Sequence, residues 1–157
     1  MAPRLGLERV RRPLPGGFEL DDDVSRIDVD AVHAFLSQES YWARGRSREL
    51  VRRAIAGSTR VVGLYRAPHL VGFGRAISDR ATIAYLADVY VLSAYRGLGL
   101  GLELVRELVD GGPLRNVRWM LHTVDAQALY AKLGFSAERP PYPLMERRRI
   151  AGDAPSQ

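Results

Sequence analysis

Residues 82–92 are apolar on both faces of an extended chain except at Asp88, and they run through Ser93-Ala94-Tyr95 into the turn Arg96-Gly97-Leu98-Gly99-Leu100-Gly101. A strand without a polar face has to be covered on both sides, so it belongs in the middle of a layered fold. The turn opens a helix whose apolar stripe is Leu102, Val105, Leu108 and Val109 and whose stop is Gly111-Gly112-Pro113. Glycines let a backbone approach a ligand closely and take unusual dihedrals. The free N–H groups and the dipole at a helix start favour an anion such as pyrophosphate. By itself the turn reads equally well as a purely structural one. A nucleotide P-loop needs Lys and then Ser or Thr after the last glycine, where Leu102-Glu103 stand. A dinucleotide fingerprint needs G-x-G-x-x-G early in a βαβ unit. Here the spacing is G-x-G-x-G, after several strands.

The preceding chain supplies the other layers. Residues 60–65 and 70–77 are rich in β-branched, aromatic and small apolar residues, and turn-prone Ala67-Pro68-His69 and Ser78-Asp79 separate the runs, so three sequential antiparallel strands are expected. Before them, Asp28 caps a helix carrying Val29, Val32, Phe35 and Leu36, and Ser47 caps a second carrying Leu50, Val51, Ala54 and Ile55, which Gly57 stops. Residues 18–20, 117–121 and 142–147 supply shorter strands. With 157 residues, 46% of them hydrophobic, the chain reads as one compact domain over residues 18–148. Residues 1–17, rich in Arg, Pro and Gly, read as a flexible or edge segment, and 149–157 as a disordered tail.

Composition removes whole classes of chemistry. There is no Cys, so disulfides, thiolate metal sites and a Cys nucleophile are excluded. His33, His69 and His122 show no ligand spacing, so no metal is expected. The net charge of +5 raises the question of nucleic acid. However, the basic residues are scattered, and the run Arg147-Arg148-Arg149 has no interleaved aromatics for bases to stack on. Of the 23 basic residues only Lys132 is a lysine, the usage of a GC-rich bacterial genome. No apolar stretch is long enough for a signal peptide or a membrane span, which gives a cytoplasmic reading without a membrane partner. A homodimer suits a domain of this size, with no interface specified.

Two ordered motifs carry a resemblance. Arg96, Gly99 and Gly101 fill the pattern Arg/Gln-x-x-Gly-x-Gly/Ala. Residues 126–135, Ala-Gln-Ala-Leu-Tyr-Ala-Lys-Leu-Gly-Phe, resemble A-x-x-L-Y-x-K-x-G-F. Both are similar to segments of the GNAT superfamily of acetyl-CoA-dependent N-acetyltransferases, over about residues 18–147. The resemblance implies an α+β domain, a twisted, mostly antiparallel mixed sheet of six or seven strands with helices on both faces. It implies acetyl-CoA as acyl donor, an amine acceptor, and direct transfer in a ternary complex. It places the cofactor against Val89, Tyr90 and Val91, the turn Arg96, Gly97, Leu98, Gly99, Leu100 and Gly101, and Thr123 and Ala126. Thr123 stands where many relatives carry an Asn on the pantetheine arm.

The reaction needs a neutral amine, a stabilised oxyanion and a proton for the departing thiolate. The resemblance sets Tyr130 near the CoA sulfur as general acid, against the plainer reading of core packing. Asp88 is either the general base, its pKa raised by burial, or a carboxylate paired with Arg. His122 either assists proton transfer or is structural. The loop between the first helices offers Tyr41 and Trp42 as an acceptor wall, or as a cover for the core, and Arg46 or Arg44 as a partner for an acceptor carboxylate. A non-catalytic CoA-sensing domain is the alternative from another functional class.

Overall fold

Strands β3 (Arg60–Arg66), β4 (His69–Ser78) and β5 (Ile83–Val91) form the centre of a six-stranded sheet, as expected from their composition and turns. The computed structural model describes residues 9–137 and 142–148, in two units, one ending at His122 and the other beginning at Thr123. The sheet belongs to the first unit. Its order is β1 (Arg11–Leu14), β2 (Phe18–Asp21), β3, β4, β5 and β6 (Arg118–Met120), every pair antiparallel except β5 with β6. A parallel neighbour requires a crossover connection. The segment containing α3 (Leu100–Val109) provides it.

Helices cover both faces, as expected. On one face Val61, Tyr65, Leu70, Phe73 and Tyr90 pack with Val32 of α1 (Val29–Ala34), with Phe35 and Leu36 that follow it, and with Val51 and Ile55 of α2 (Arg48–Gly57). Each of these helices has the cap its sequence provides. The Asp28 carboxylate accepts from the Ala31 amide at 3.0 Å and the Ser47 hydroxyl from the Leu50 amide at 3.2 Å. Residues Phe35–Glu39 widen into a π turn, which the apolar stripe did not reveal. On the other face Leu104, Val105 and Leu108 of α3 are fully buried. At Gly74 a Cβ would lie 2.6 Å from Leu108 Cδ1, so α3 can sit this close to β4 only over a glycine.

Of the two alternatives for the N-terminal segment, residues 11–14 take the edge one and form the edge strand β1, because their backbone pairs with residues 18–21 and Arg12 reaches Glu103 and Glu107 on α3. Residues 142–147, read as a last strand, form no strand. Residues 1–8 and the tail from 149 lie outside the described residues.

A buried ion-pair network sets where α3 ends. Arg60, on β3, donates to the Glu107 carboxylate at 2.9 Å and to the Glu107 carbonyl at 2.5 Å, and Arg12 donates to the same carboxylate at 3.2 Å. A cation on the last turn also complements the negative end of the helix dipole. The Arg60 and Glu107 side chains are each 6% exposed, so removing one leaves a charge with little water. Arg60→Met should cost about 3–5 kcal/mol in urea denaturation, and adding Glu107→Leu should recover much of it. A loss below about 1 kcal/mol for the single variant would contradict this role.

Candidate functional site

The long central strand β5 is broken at Asp88, and the break is a β-bulge. Phe73 pairs with Tyr90 and Arg75 with Ala87, so Gly74 alone faces Asp88 and Val89. Asp88 takes φ = +55°, in the left-handed region that Asp tolerates better than most residues. The bulge turns its carboxylate onto the face shared by α1 and α2.

There three donors meet it. The Trp42 indole N–H donates to Oδ1 at 2.9 Å, while Arg46 and Arg75 donate to Oδ2 at 2.8 and 2.7 Å. The Asp88 side chain is 4% exposed. Burial pushes its pKa up, but the Arg75 charge and hydrogen bond, the Arg46 charge and the Trp42 N–H outweigh it, and the net shift is below the ordinary carboxylate value. The raised pKa expected for a general base is thus reversed. Sequence reasoning missed Arg75, although it is the one charge inside the apolar run 70–77, as Asp88 is in the run 82–92.

The loop that carries Trp42 and Arg46 is tied down locally. The Ser40 hydroxyl donates to the Leu36 carbonyl at 2.6 Å and accepts from the Ala43 amide at 3.0 Å, and the His33 ring meets the Arg46 carbonyl at 3.1 Å. Tyr41 and Trp42 are 53% and 40% exposed and stand edge to face at 5.0 Å, outside the core cluster, whereas Ala43 is the loop residue inside it. Both rings therefore offer surface beside Asp88. Tyr90 belongs to the core: its ring stacks on Phe35 at 3.9 Å, and burial, with the Asp28 and Glu39 carboxylates, pushes its pKa well above the ordinary phenol value.

The far end of β5 has an open edge within the first unit. Its pairing with β6 covers only Ile83, Ala84 and Tyr85. The Leu92 amide donates to Val71 on β4, so strand alternation turns the Val91 amide the other way, to the unpaired side. Arg96 Nε donates to the Val91 carbonyl at 2.9 Å and fastens the glycine turn to that edge. In the turn Gly97 and Gly99 take φ = +80° and +75°, with open space where a Cβ would stand, and Leu98 is exposed. Gly99 is the N-cap of α3 and has no side chain to cap it. The first intrahelical bond runs from Glu103 N–H to the Gly99 carbonyl, so the amides of Leu100, Gly101 and Leu102 point out of the helix end. Unpaired strand amides and an uncapped helix N-terminus are thus held together by Arg96.

In the second unit the Thr123 hydroxyl accepts from the Ala126 amide at 3.0 Å, and the Ala126 carbonyl accepts from the Leu129 and Tyr130 amides, starting α4 (Gln127–Ala131). The Tyr130 ring packs edge to face on Phe135 at 5.7 Å. Among the described residues no cluster of three or more His, Cys, Asp or Glu is placed to hold a metal ion, and no helix is long and apolar enough to cross a membrane.

The model of a family described as "Acetyltransferase (GNAT) family" matches residues 29–135. A protein of Gibberella zeae, named as a putative acetyltransferase, is 32% identical, with 74% of this chain and 77% of its own covered. A solved structure from Xanthomonas campestris pv. campestris, assigned to the GNAT family, is 38% identical with a TM-score of 0.79, covering 87% of this chain and 96% of the other. A Staphylococcus aureus structure at 22% identity shares the fold, with a TM-score of 0.70 over 84% of this chain and 99% of its own.

The paired Asp88 carboxylate has a thermodynamic signature. Because its folded pKa is depressed, the stability it contributes is present above the ordinary Asp value of about 4 and is lost as pH falls through the lower folded value. Asp88→Asn should cost about 3 kcal/mol or more near neutral pH, by leaving Arg46 and Arg75 uncompensated, and the gap from the parent should close as the solution is acidified. A gap that does not change with pH in urea titrations would refute the pairing.

Proposed function

The chain belongs to the GNAT family of acetyltransferases, and from that premise we propose that it moves the acetyl group of acetyl-CoA to a primary amine by direct attack in a ternary complex. The observation that carries this reading is the joining of the uncapped start of α3 to the open edge of β5 by Arg96. The outward amides of Leu100, Gly101 and Leu102, with Gly97 and Gly99 leaving room for a close approach, suit the pyrophosphate. The Val89 and Val91 backbone on the unpaired side suits the pantetheine amides or the thioester oxygen, which would add to the sheet as another strand would.

The remaining roles follow the family motif onto this chain's residues. Tyr130 donates the proton that the departing thiolate takes, and Thr123 and Ala126 face the pantetheine arm. Tyr41 and Trp42 form the acceptor wall, and Arg46, whose Nη1 is bound to Asp88, has further donors for an acceptor carboxylate. A cytoplasmic setting accords with acetyl-CoA as donor. One observation favours the reading as a non-catalytic CoA-binding domain: Asp88, the candidate base, is committed to three donors. Release of thiol from acetyl-CoA that depends on an added amine decides between the two.

Binding is tested without knowing the acceptor. Acetyl-CoA at a hundred times its Kd should stabilise the fold by about 2.7 kcal/mol, with ATP as the control nucleotide. Gly99→Glu, which sets a carboxylate at the helix start, should abolish the stabilisation in protein with an unchanged circular dichroism spectrum. No stabilisation of well-folded parent protein by acetyl-CoA would reject the reading.

A further inference from the structure

With Asp88 committed, the attacking amine needs another proton acceptor, because an alkyl ammonium, with a pKa of about 10, has no lone pair to attack with. The site-facing side of β5 carries one. Arg75 faces Ala87 across the sheet, and Tyr85, two residues earlier, points to the same side as Ala87. On β6, Met120 pairs with Tyr85, and two residues later His122 returns to that side. The Tyr85 hydroxyl meets His122 Nδ1 at 2.6 Å, with ring centroids 5.7 Å apart. The pair bridges β5 and β6 just where their parallel pairing stops and the open edge of β5 begins. His122 is exposed, so a proton it accepts can pass to water.

We propose that Tyr85 and His122 form the proton-accepting pair of the transfer, a proposal that rests on the acetyltransferase reading above. The amine lone pair forms the C–N bond with the thioester carbonyl as the carbonyl π pair moves to oxygen. Collapse re-forms the carbonyl and breaks the C–S bond, leaving the electron pair on sulfur, which takes a proton from Tyr130. Before attack the ammonium gives one proton through one water to the Tyr85 oxygen, while the Tyr85 hydroxyl proton moves to His122 and from there to solvent; after attack the second nitrogen proton restores the Tyr130 hydroxyl that gave its own to sulfur.

The charged groups nearest the pair on the sheet do not compete for the role. Asp88 is paired, while Arg75 and Arg118, which pairs with Ile83, are cations. Asp79 lies in the turn before β5, where the Thr82 hydroxyl and the amides of Thr82, Ala81 and Ile83 hold its carboxyl far below the usual range. The exposed Ile77 and Ile83 complete an apolar rim on which a neutral amine is favoured over an ammonium.

The test compares an amine that must lose a proton before it can attack with one that is already neutral. Thiol release from acetyl-CoA is measured near neutral pH with tyramine, an ammonium ion under these conditions, and with methoxyamine, which is neutral. In Tyr85→Phe and in His122→Gln, kcat/KM for tyramine should fall about 100-fold. Methoxyamine turnover and acetyl-CoA binding by calorimetry should stay close to the parent's. The double variant should be little worse than either single one, since the two groups act as a unit. Equal losses on both amines would mark the pair as structural, and no loss on tyramine would remove it from the reaction; either result overturns the proposal. No thiol release at all, with acetyl-CoA bound, would contradict the transferase reading itself and this one with it.

Discussion

The site depends on one buried carboxylate. Arg46 comes from the loop before α2 and Arg75 from β4, and side by side in a half-dry pocket the two guanidiniums would repel each other. Asp88 holds both, with the Trp42 indole as a third donor. Burying such a group is costly and is offset only when its partners are well placed. The left-handed backbone at Asp88 adds strain of about 1–2 kcal/mol, which the surrounding contacts must outweigh. In return the bulge ties the α1–α2 loop to the sheet at the level where β5 leaves β6. The exposed aromatic pair on that loop takes its place from this anchor.

A second constraint lies at the other end of the crossover. The start of α3 can present its amides only if the helix axis is fixed, and the Arg60–Glu107 pair fixes the last turn against β3. The helix is clamped at its C-terminus, lies against β4 over Gly74, and is left open at its N-terminus. Rigid elements therefore carry the polar groups of the site, which suits a function that depends on positioning.

Much of this was legible in the sequence because local rules governed it. Asp28 and Ser47 cap the helices they were expected to cap, the three central strands fall within a residue or two of their expected bounds, and Gly97 and Gly99 do take positive φ. Apart from the π turn after α1, what the sequence did not reveal is non-local. Asp88 was singled out correctly as a break in an apolar strand, but the direction of its pKa depends on Arg75, thirteen residues away across a hairpin, and on a loop forty residues earlier. Residues 11–14 left a mobile and an edge reading open, and pairing with β2 and with the α3 carboxylates decides for the edge. Tyr85 and His122 lie 37 residues apart, and only the parallel register of β5 with β6 brings them together.

The central claim is that the open edge of β5 and the start of α3 form one ligand-binding surface. It is tested most directly by following backbone amide resonances of isotope-labelled protein during titration with acetyl-CoA. The account predicts saturable shifts concentrated at Val89, Val91, Leu100, Gly101 and Leu102, with little change at β1, β2 and the exposed face of α2. Shifts absent from these amides, or concentrated elsewhere while acetyl-CoA still binds, would contradict it.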